Sequence, residues 1–487
     1  MNNIFENLQP RSVWAHFATL CAIPRPSYKE AALREHLIEW AKSRGIETAV
    51  DAAGNLILKK PASHGCEGKP GVILQGHLDM VCQANTGTLH NFERDPISAV
   101  VRDGWVVAEN TTLGADNGIG VALALAALEE PGLVHPPLEV LLTVNEESGM
   151  DGARGLLPGT LHGNTLINID TEEWGHFYLG CAGGVDVEVR HDYAQEEVPA
   201  GYVMMRFTVS GLRGGHSGID IHTGRGNAIK LLAEALRDLS EHTDVRLIEL
   251  KGGTARNAIP REAFAVCALR ADAVTNLDGW VVHRHEAWRK RFAEGDAKVT
   301  FVCKMEKVQE GKAIYQVERD RLLAFLDTCA NGVASISEAF PGVTDTSSNL
   351  GVVALQQGAF KATFKVRSLH DARAAALADK LISFAATYEL HAWKDGAYPG
   401  WTPNPASPML ALCQQVYTRE FGQPASLQVI HAGLECGLLA ASHPHLDMIS
   451  FGPDIRGAHA PGESVEVESV GRCWQLLKAV LAALAKA

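Results

Sequence analysis

Five short segments, spread from the first quarter of the chain to near its end, each place a residue able to bind a metal ion directly after an apolar, β-rich run. They are Gly76-His77-Leu78-Asp79, Gly114-Ala115-Asp116-Asn117-Gly118, Asn145-Glu146-Glu147-Ser148, Asn168-Ile169-Asp170 and Gly457-Ala458-His459-Ala460-Pro461. Two histidines with four or five carboxylates suit a pair of divalent zinc ions. The imidazoles supply borderline-soft nitrogen, the acids offset two dications, and one carboxylate can bridge them. The chemistry this points to is metal-assisted hydrolysis.

Each segment has its own logic. A metal-bound imidazole usually gives its other ring N–H to a carboxylate, and a turn after the strand can fold Asp79 back onto His77 for that purpose. The tripeptide alone reads as a surface histidine beside an unrelated acid. Asp116 lies in a glycine-flanked turn before a helix. Small flanks let the backbone approach an ion, and one carboxylate can span metals roughly 3.5 to 4 Å apart. A helix N-cap is an equal reading of the same residue. Glu146 and Glu147 follow an apolar strand, where adjacent acids cost stability unless cations or donors compensate them. Neighbours in extended chain point opposite ways, so one could ligate while the other faces an attacking water. Asp170 closes the next apolar run, and Glu172 and Glu173 add further acids. A solvated turn is the plain alternative for the Glu146 segment and for the loop around His459.

The elements that must position these residues are legible in outline. Ser27-Tyr28-Lys29-Glu30 reads as a capping box opening a helix that Gly45 stops. Two short strands are expected around residues 52–55. Apolar runs at 71–75, 138–144 and 166–169 resemble strands covered on both faces, and an Ala- and Leu-rich helix at 118–128 separates the first two. Strands alternating with helices indicate an α/β layer structure with sites beyond the strand ends. After Asp170 the strands at 185–189 and 203–209 alternate polar and apolar residues like antiparallel, half-exposed ones. Helices follow near 227–239, 280–291, 319–329 and 371–388, with more strands near 298–304, 352–357 and 361–367. This reads as an inserted domain over 185–400, closed by a Pro- and Gly-rich return at 396–405. Residues 1–184 and 401–487 then form one discontinuous domain, which His459 must complete.

Length and composition narrow the function. A chain of 487 residues, 46% hydrophobic, has ample material for a core. A net charge of −13 disfavours nucleic acid and anionic membrane surfaces. The first residues lack a basic stretch followed by an apolar core, and no apolar run is long enough to span a bilayer, so a cytoplasmic location is expected. Ten cysteines without a Cys-x-x-Cys pair read as buried, reduced thiols.

In order and combination the five segments resemble the superfamily of di-zinc aminopeptidases, dipeptidases, aminoacylases and glutamate carboxypeptidases, closest to its bacterial aminoacyl-histidine dipeptidase branch. The likeness spans nearly the whole chain. It implies a three-layer α/β/α zinc-hydrolase domain with an inserted α+β lid. It implies two Zn2+ per subunit, with Co2+ or Mn2+ as substitutes: His77 and Asp170 on one ion, Glu147 and His459 on the other, and Asp116 bridging. Glu146 becomes the general base, Asp79 the residue that orients His77, and the Asp116–Asn117 peptide is expected to be cis. Gly214-Gly215-His216-Ser217-Gly218 resembles the lid histidine motif, with His216 stabilising the oxyanion. A proline expected shortly afterwards is replaced by Ile219-Asp220. Asn257 and Arg367 resemble contacts to a substrate carboxylate, and a surface salt bridge is the other reading of Arg367. Glu173 is the candidate for the substrate amine. The implied activity is hydrolysis of dipeptides with free termini, including Xaa-His dipeptides such as carnosine, by a homodimer. The alternatives are an N-acyl amino acid deacylase or tripeptide aminopeptidase on the same scaffold, or an inactive zinc-binding protein.

Overall fold

The computed structural model describes residues 4–306 and 311–486. The chain divides into two units, one formed by Met1–Gly180, Trp401–Val429 and Leu434–Ala487, the other by Cys181–Gly400 with Ile430–Gly433. The fold class is α/β, as the strand and helix pattern leads one to expect.

In the first unit the strand Val72–His77 lies between Leu138–Thr143 and Thr165–Asn168, parallel to both, and Asp447–Ser450 continues the parallel run beyond Thr165–Asn168. These strands are almost wholly buried, which is why they read as unbroken apolar runs. Side chains alternate across the sheet. A Cβ at Gly76 would meet Asn117 and Val121 of the helix Ala115–Glu129, whereas Gln75 reaches Glu435 of the helix Glu435–Ser442 on the opposite face. Helices therefore cover both faces of the sheet. Ala115–Glu129 is buried all round, as expected of a central helix, and each fully buried Leu or Ile in it contributes about 1.5–3 kcal/mol. A small four-stranded sheet that the sequence did not suggest pairs Ile455–Arg456 with Ser464–Glu466, then Trp105–Val107 and Val100–Arg102. It makes the His459 loop the tip of a hairpin.

The expected helix after Ser27 begins at Ala31, yet the capping box does not form. The Ser27 hydroxyl donates to Asp79 at 2.7 Å, and Glu30 accepts the backbone N–H of Asn145 at 2.9 Å. Both caps are drawn off by groups whose burial leaves them no water to pair with.

The second unit is built on a nine-stranded sheet whose described pairings are all antiparallel. Thr344–Gln356, Ala359–Ser368, Gly183–Asp192 and His391–Tyr398 lie side by side. Register puts Ser347 opposite Arg367, Asn349 and Asp186 opposite Lys365, and Tyr398 opposite Gly184. One face of this sheet is therefore polar. The intervening Val185, Val187, Phe364 and Val366 belong to the unit's apolar core with the helices Ala228–His242, Gln316–Thr328 and Asp371–Ala386.

Candidate metal centre

Three of the ligand-bearing segments stand where parallel strands of the first unit end. The strand Val72–His77 ends on His77 itself, and the chain then turns so that Asp79 folds back. His77 Nδ1 lies 3.1 Å from the Asp79 carbonyl and 3.4 Å from its carboxylate. The Asp79 carboxylate also accepts the N–H of Glu146 at 3.0 Å, the N–H of Glu147 at 3.1 Å and the Ser27 hydroxyl. Burial works against its charge, but His77 first, and then the Ser27 hydroxyl and the Glu146 N–H, hold it down at about 2. One acid thereby fixes both the His77 ring and the turn that carries the two glutamates.

Asn145 adopts a left-handed φ of 56°, which swings the chain out of the apolar strand into the short helix Glu146–Gly149. Glu146 and Glu147 are thus on a helical turn rather than on opposite sides of an extended segment, and both approach His77. The expectation from strand geometry fails here because Asp79 captures the two free N–H groups and stabilises a helix start.

The Asp116–Asn117 peptide is cis, both residues have non-helical φ and ψ ahead of the regular helix, and the N-cap reading of Asp116 does not hold because its carboxylate oxygens meet imidazoles rather than helix N–H groups. The Asp116 carboxylate instead lies between two imidazoles, Oδ1 at 3.1 Å from His77 Nε2 and Oδ2 at 3.1 Å from His459 Nε2. Asn117 ties the neighbouring strands together, accepting the N–H of His77 at 3.2 Å and donating to the carbonyl of Ile169. The glycines flanking Asp116 are packed against a side chain. A Cβ at Gly114 or Gly118 would fall 2.4 or 2.6 Å from the guanidinium of Arg25, so they make room for that side chain.

Asp170 lies 3.5 Å from His77 Nε2, and Glu147 3.1 Å from His459 Nε2. His459 stands on an exposed tip, so the solvated-turn reading is right about exposure and wrong about contact. Three overlapping groups could each hold an ion: His77 with Asp116 and Asp170, His77 with Glu146 and Glu147, and Asp116 with Glu147 and His459. None contains a cysteine. The donor set fits divalent cations, and Glu147 Oε1 is buried without a hydrogen-bond partner, as a carboxylate oxygen left for a metal would be.

The electrostatics agree with that fit. Burial pushes Asp170 up to about 7, with Asp116 and Glu147 adding to it against the pull of His77. Glu146 is raised well above the usual carboxylate range by burial and by Asp170 and Glu147. Hydrogen bonds to Asp116 and Glu147 drive His459 up to about 11, while at His77 burial opposes a rise that the surrounding carboxylates win. Crowded acids thus hold protons that cations would replace.

Glu173 lies apart from these groups: its side chain is 63% exposed and receives the Tyr178 hydroxyl at 3.4 Å. Its neighbour Glu172 feels the cluster, raised to about 8 by desolvation and by Asp116 and Asp170. A further acid is Glu435, buried and bonded by Gln75 and Thr143, and raised to about 7 mainly by burial. A lone Glu before an apolar helix gave no sequence signal for it.

The other candidate residues belong to the second unit. His216 Nδ1 accepts the N–H of Gly218 at 3.2 Å and of Ile219 at 3.1 Å, so Nε2 carries the proton. Asp220 accepts the N–H of His216 at 2.8 Å and closes the turn where the proline is missing. Arg367 is 4% exposed and donates to Tyr398 Oη at 2.6 Å and Ser217 Oγ at 3.4 Å. Among the described residues it has no carboxylate within salt-bridge distance, which removes the surface-salt-bridge reading. Its Nη2 lies 3.3 Å from His216 Nε2, so two donors stand side by side. Asn257 joins them through its backbone, accepting the N–H of Ser217 at 2.8 Å, while its side chain is exposed.

The sequence pattern of peptidase family M20/M25/M40 matches residues 73–483. The chain is 44% identical over 477 residues to the cytosol non-specific dipeptidase of Escherichia coli (strain K12), covering 98% of each. It superposes on the crystal structure of aminoacylhistidine dipeptidase from Vibrio alginolyticus with a TM-score of 0.87 and 40% identity, over 98% of both chains. Aminopeptidase PepT from Bacillus cereus shares the fold at a TM-score of 0.56 and 16% identity, over 98% of this chain and 99% of that one.

Proposed function

The chain belongs to peptidase family M20/M25/M40, and from that premise we propose that it is a zinc-dependent dipeptidase acting on dipeptides with free termini, Xaa-His dipeptides such as carnosine among them. The observation that carries this reading is Asp116, whose two carboxylate oxygens each lie 3.1 Å from a different imidazole. One acid serving two separate histidines is the donor arrangement of a two-cation centre. His77 and Asp170 would hold one ion, Glu147 and His459 the other, with Asp116 shared.

Bound there, the cations would polarise the scissile carbonyl and acidify the attacking water. Glu146 then receives the water's proton on its carboxylate and delivers it to the leaving amine, a task for which a carboxyl of raised proton affinity is suited. Asp79 keeps the His77 ring oriented. His216 donates its Nε2–H to the developing oxyanion, a role supported by the backbone amides that fix this tautomer. Arg367 pairs with the substrate's C-terminal carboxylate, with Asn257 beside it. The free amine falls to the acidic pair Glu172 and Glu173. Gln at each position in turn identifies which one raises KM for free-amine substrates.

A cytosolic location is supported by the name of the Escherichia coli relative, and a homodimer by the family resemblance, which sedimentation would check. Among the described residues no helix is long and apolar enough to cross a membrane.

The test is turnover of a panel by zinc-loaded protein of measured metal content. Dipeptides, carnosine included, should be cut, while N-acetyl amino acids and tripeptides should be poor substrates. Preferred cleavage of the N-acetyl compounds or tripeptides would transfer the reading to a deacylase or tripeptide aminopeptidase on the same fold. Bound zinc without any turnover would leave a binding protein.

A further inference from the structure

Two charged residues outside the ligand set hold the loop that carries Asp116. Arg25 is 1% exposed and Glu463 2%. Arg25 Nη1 donates to the carbonyls of Leu78 and Asp79, each at 2.9 Å, and Nη2 donates to the carbonyl of Gly114. It therefore ties the turn after His77 to the turn before Asp116. Glu463 binds the same loop through its amides. Its Oε2 accepts the N–H of Leu113 at 2.7 Å and of Gly114 at 2.9 Å, and its Oε1 those of Ala115 at 2.7 Å and Asp116 at 3.2 Å. Glu463 follows His459 on the hairpin between Ile455–Arg456 and Ser464–Glu466, so the loop is also tied to the second histidine.

Arg25 is a poor choice for stability alone. Among the described residues Arg25 has no carboxylate within salt-bridge distance, and its Nε is buried without a hydrogen-bond partner. An apolar side chain would fill that space without desolvating a guanidinium. The two glycines at Gly114 and Gly118, which exclude a Cβ from the guanidinium, add a second sequence constraint for the same contact.

We propose that Arg25 and Glu463 are positioning residues that preset the Asp116 loop against the His77 strand end and the His459 hairpin, so that one carboxylate can serve both cation positions. This rests on the two-cation reading given above. Neither residue touches substrate or cations; they act through backbone carbonyls and amides. Glu463→Gln is nearly isosteric, yet its amide group would turn N–H donors onto two of the four loop N–H groups. Arg25→Lys keeps the charge but loses the planar fork that reaches two turns at once. Gly118→Ala keeps both charged residues and introduces a better helix former, while its Cβ would press on Arg25 Nη2 from 2.6 Å.

The experiment is a Co2+ titration of the full-length wild type and these three variants, followed by calorimetry and by electron paramagnetic resonance of the loaded pair. The wild type should bind two ions whose spins are coupled through the shared carboxylate. Each folded variant should lose about 10- to 100-fold in affinity for at least one ion and lose or weaken the coupling, the scale seen when groups behind metal ligands are altered. Gly118→Ala, which alters neither charged residue, keeps the test available should Arg25→Lys fail to fold. Wild-type affinities and coupling in folded Glu463→Gln and Gly118→Ala would overturn the positioning role. A wild type that binds fewer than two ions would overturn the two-cation reading itself, whatever the variants do.

Discussion

At the strand ends of the first unit five carboxylates, those of Asp79, Asp116, Glu146, Glu147 and Asp170, surround the imidazoles of His77 and His459. On the polar sheet face of the second unit the balance differs, with buried Lys365 and Arg367 and the more exposed Arg256 grouped around the carboxylate of Asp186. The means of support differ in the same sense. Asp79 is held by backbone N–H groups, Arg367 by the neutral oxygens of Tyr398 and Ser217. Charge buried without its counter-charge is expensive, and proteins keep it where a ligand completes the pairing. The charge left in the first region suits cations and that left in the second suits an anion, as the proposed function requires.

The largest effect should come from Glu146→Gln. Loss of the proton acceptor is expected to lower kcat by about 10²- to 10⁴-fold while zinc content stays at the wild-type level. Near-normal turnover would remove Glu146 from the reaction. Next comes pH. In the metal-free chain His77 is raised well above its usual range and His459 to about 11, so both rings hold protons at neutral pH that cations must expel. Metal affinity should therefore rise with pH through neutrality, by about 10-fold per pH unit for each proton released. Calorimetry in buffers of different ionisation enthalpy counts the protons, and an affinity flat between pH 6 and 8 would break the picture of a proton-filled cation host. On the other side of the comparison, Arg367→Met should cut kcat/KM for dipeptides by about 10²-fold, the scale of one or two charge-assisted hydrogen bonds, and leave metal content alone. Amidating the substrate's C-terminus should abolish the difference between variant and wild type.

The two regions were not equally legible. Each ligand of the first follows an apolar run or sits in a glycine-rich turn, so His77, Asp116, Glu147, Asp170 and His459 could be picked out before their convergence was visible. What pattern could not supply is the anchoring. Arg25 reads as one basic residue between prolines, and Ser27 and Glu30 have the spacing of a helix cap although their side chains serve Asp79 and Asn145. The Glu146-Glu147 turn departs from the extended reading because Asn145, a residue type that tolerates positive φ, turns the chain there and Asp79 then holds the two following N–H groups. The second region was harder still. Lys365, Arg367 and Ser347 lie on alternating strands, whose polar face normally meets water, and only the register with Asp186, Asn349 and Tyr398 shows that face to be buried. Arg367 was reachable through the family resemblance, whereas Lys365 and Asp186 carried no signal of their own.

Asp79→Asn probes the first region more gently, since the ligands remain and only their support is altered. The amide can still face the His77 ring, but it brings N–H donors towards the backbone N–H groups of Glu146 and Glu147. Metal affinity should fall by about 10- to 100-fold, with kcat at saturating zinc falling less than in Glu146→Gln. Unchanged affinity would mean that the His77 orientation is set by the Asp79 carbonyl alone.

The smallest effect is expected from Tyr398→Phe, and it bears on whether the proposed carboxylate contact depends on its support as the proposed metal centre does. The substitution removes one oxygen that accepts a hydrogen bond from Arg367 Nη1 at 2.6 Å and leaves the ring in place. Ser217 still accepts from Nε, and the strand still fixes the side chain's root opposite Ser347, so the guanidinium loses one restraint of several. A single net hydrogen bond of about 1 kcal/mol corresponds to a rise in KM of about 5-fold for dipeptides, with kcat and metal content unchanged. A loss as large as that of Arg367→Met would mean that Tyr398 alone orients the guanidinium. No change at all would mean that the sheet register suffices, and that the two regions differ in how they are supported as well as in the charge they hold.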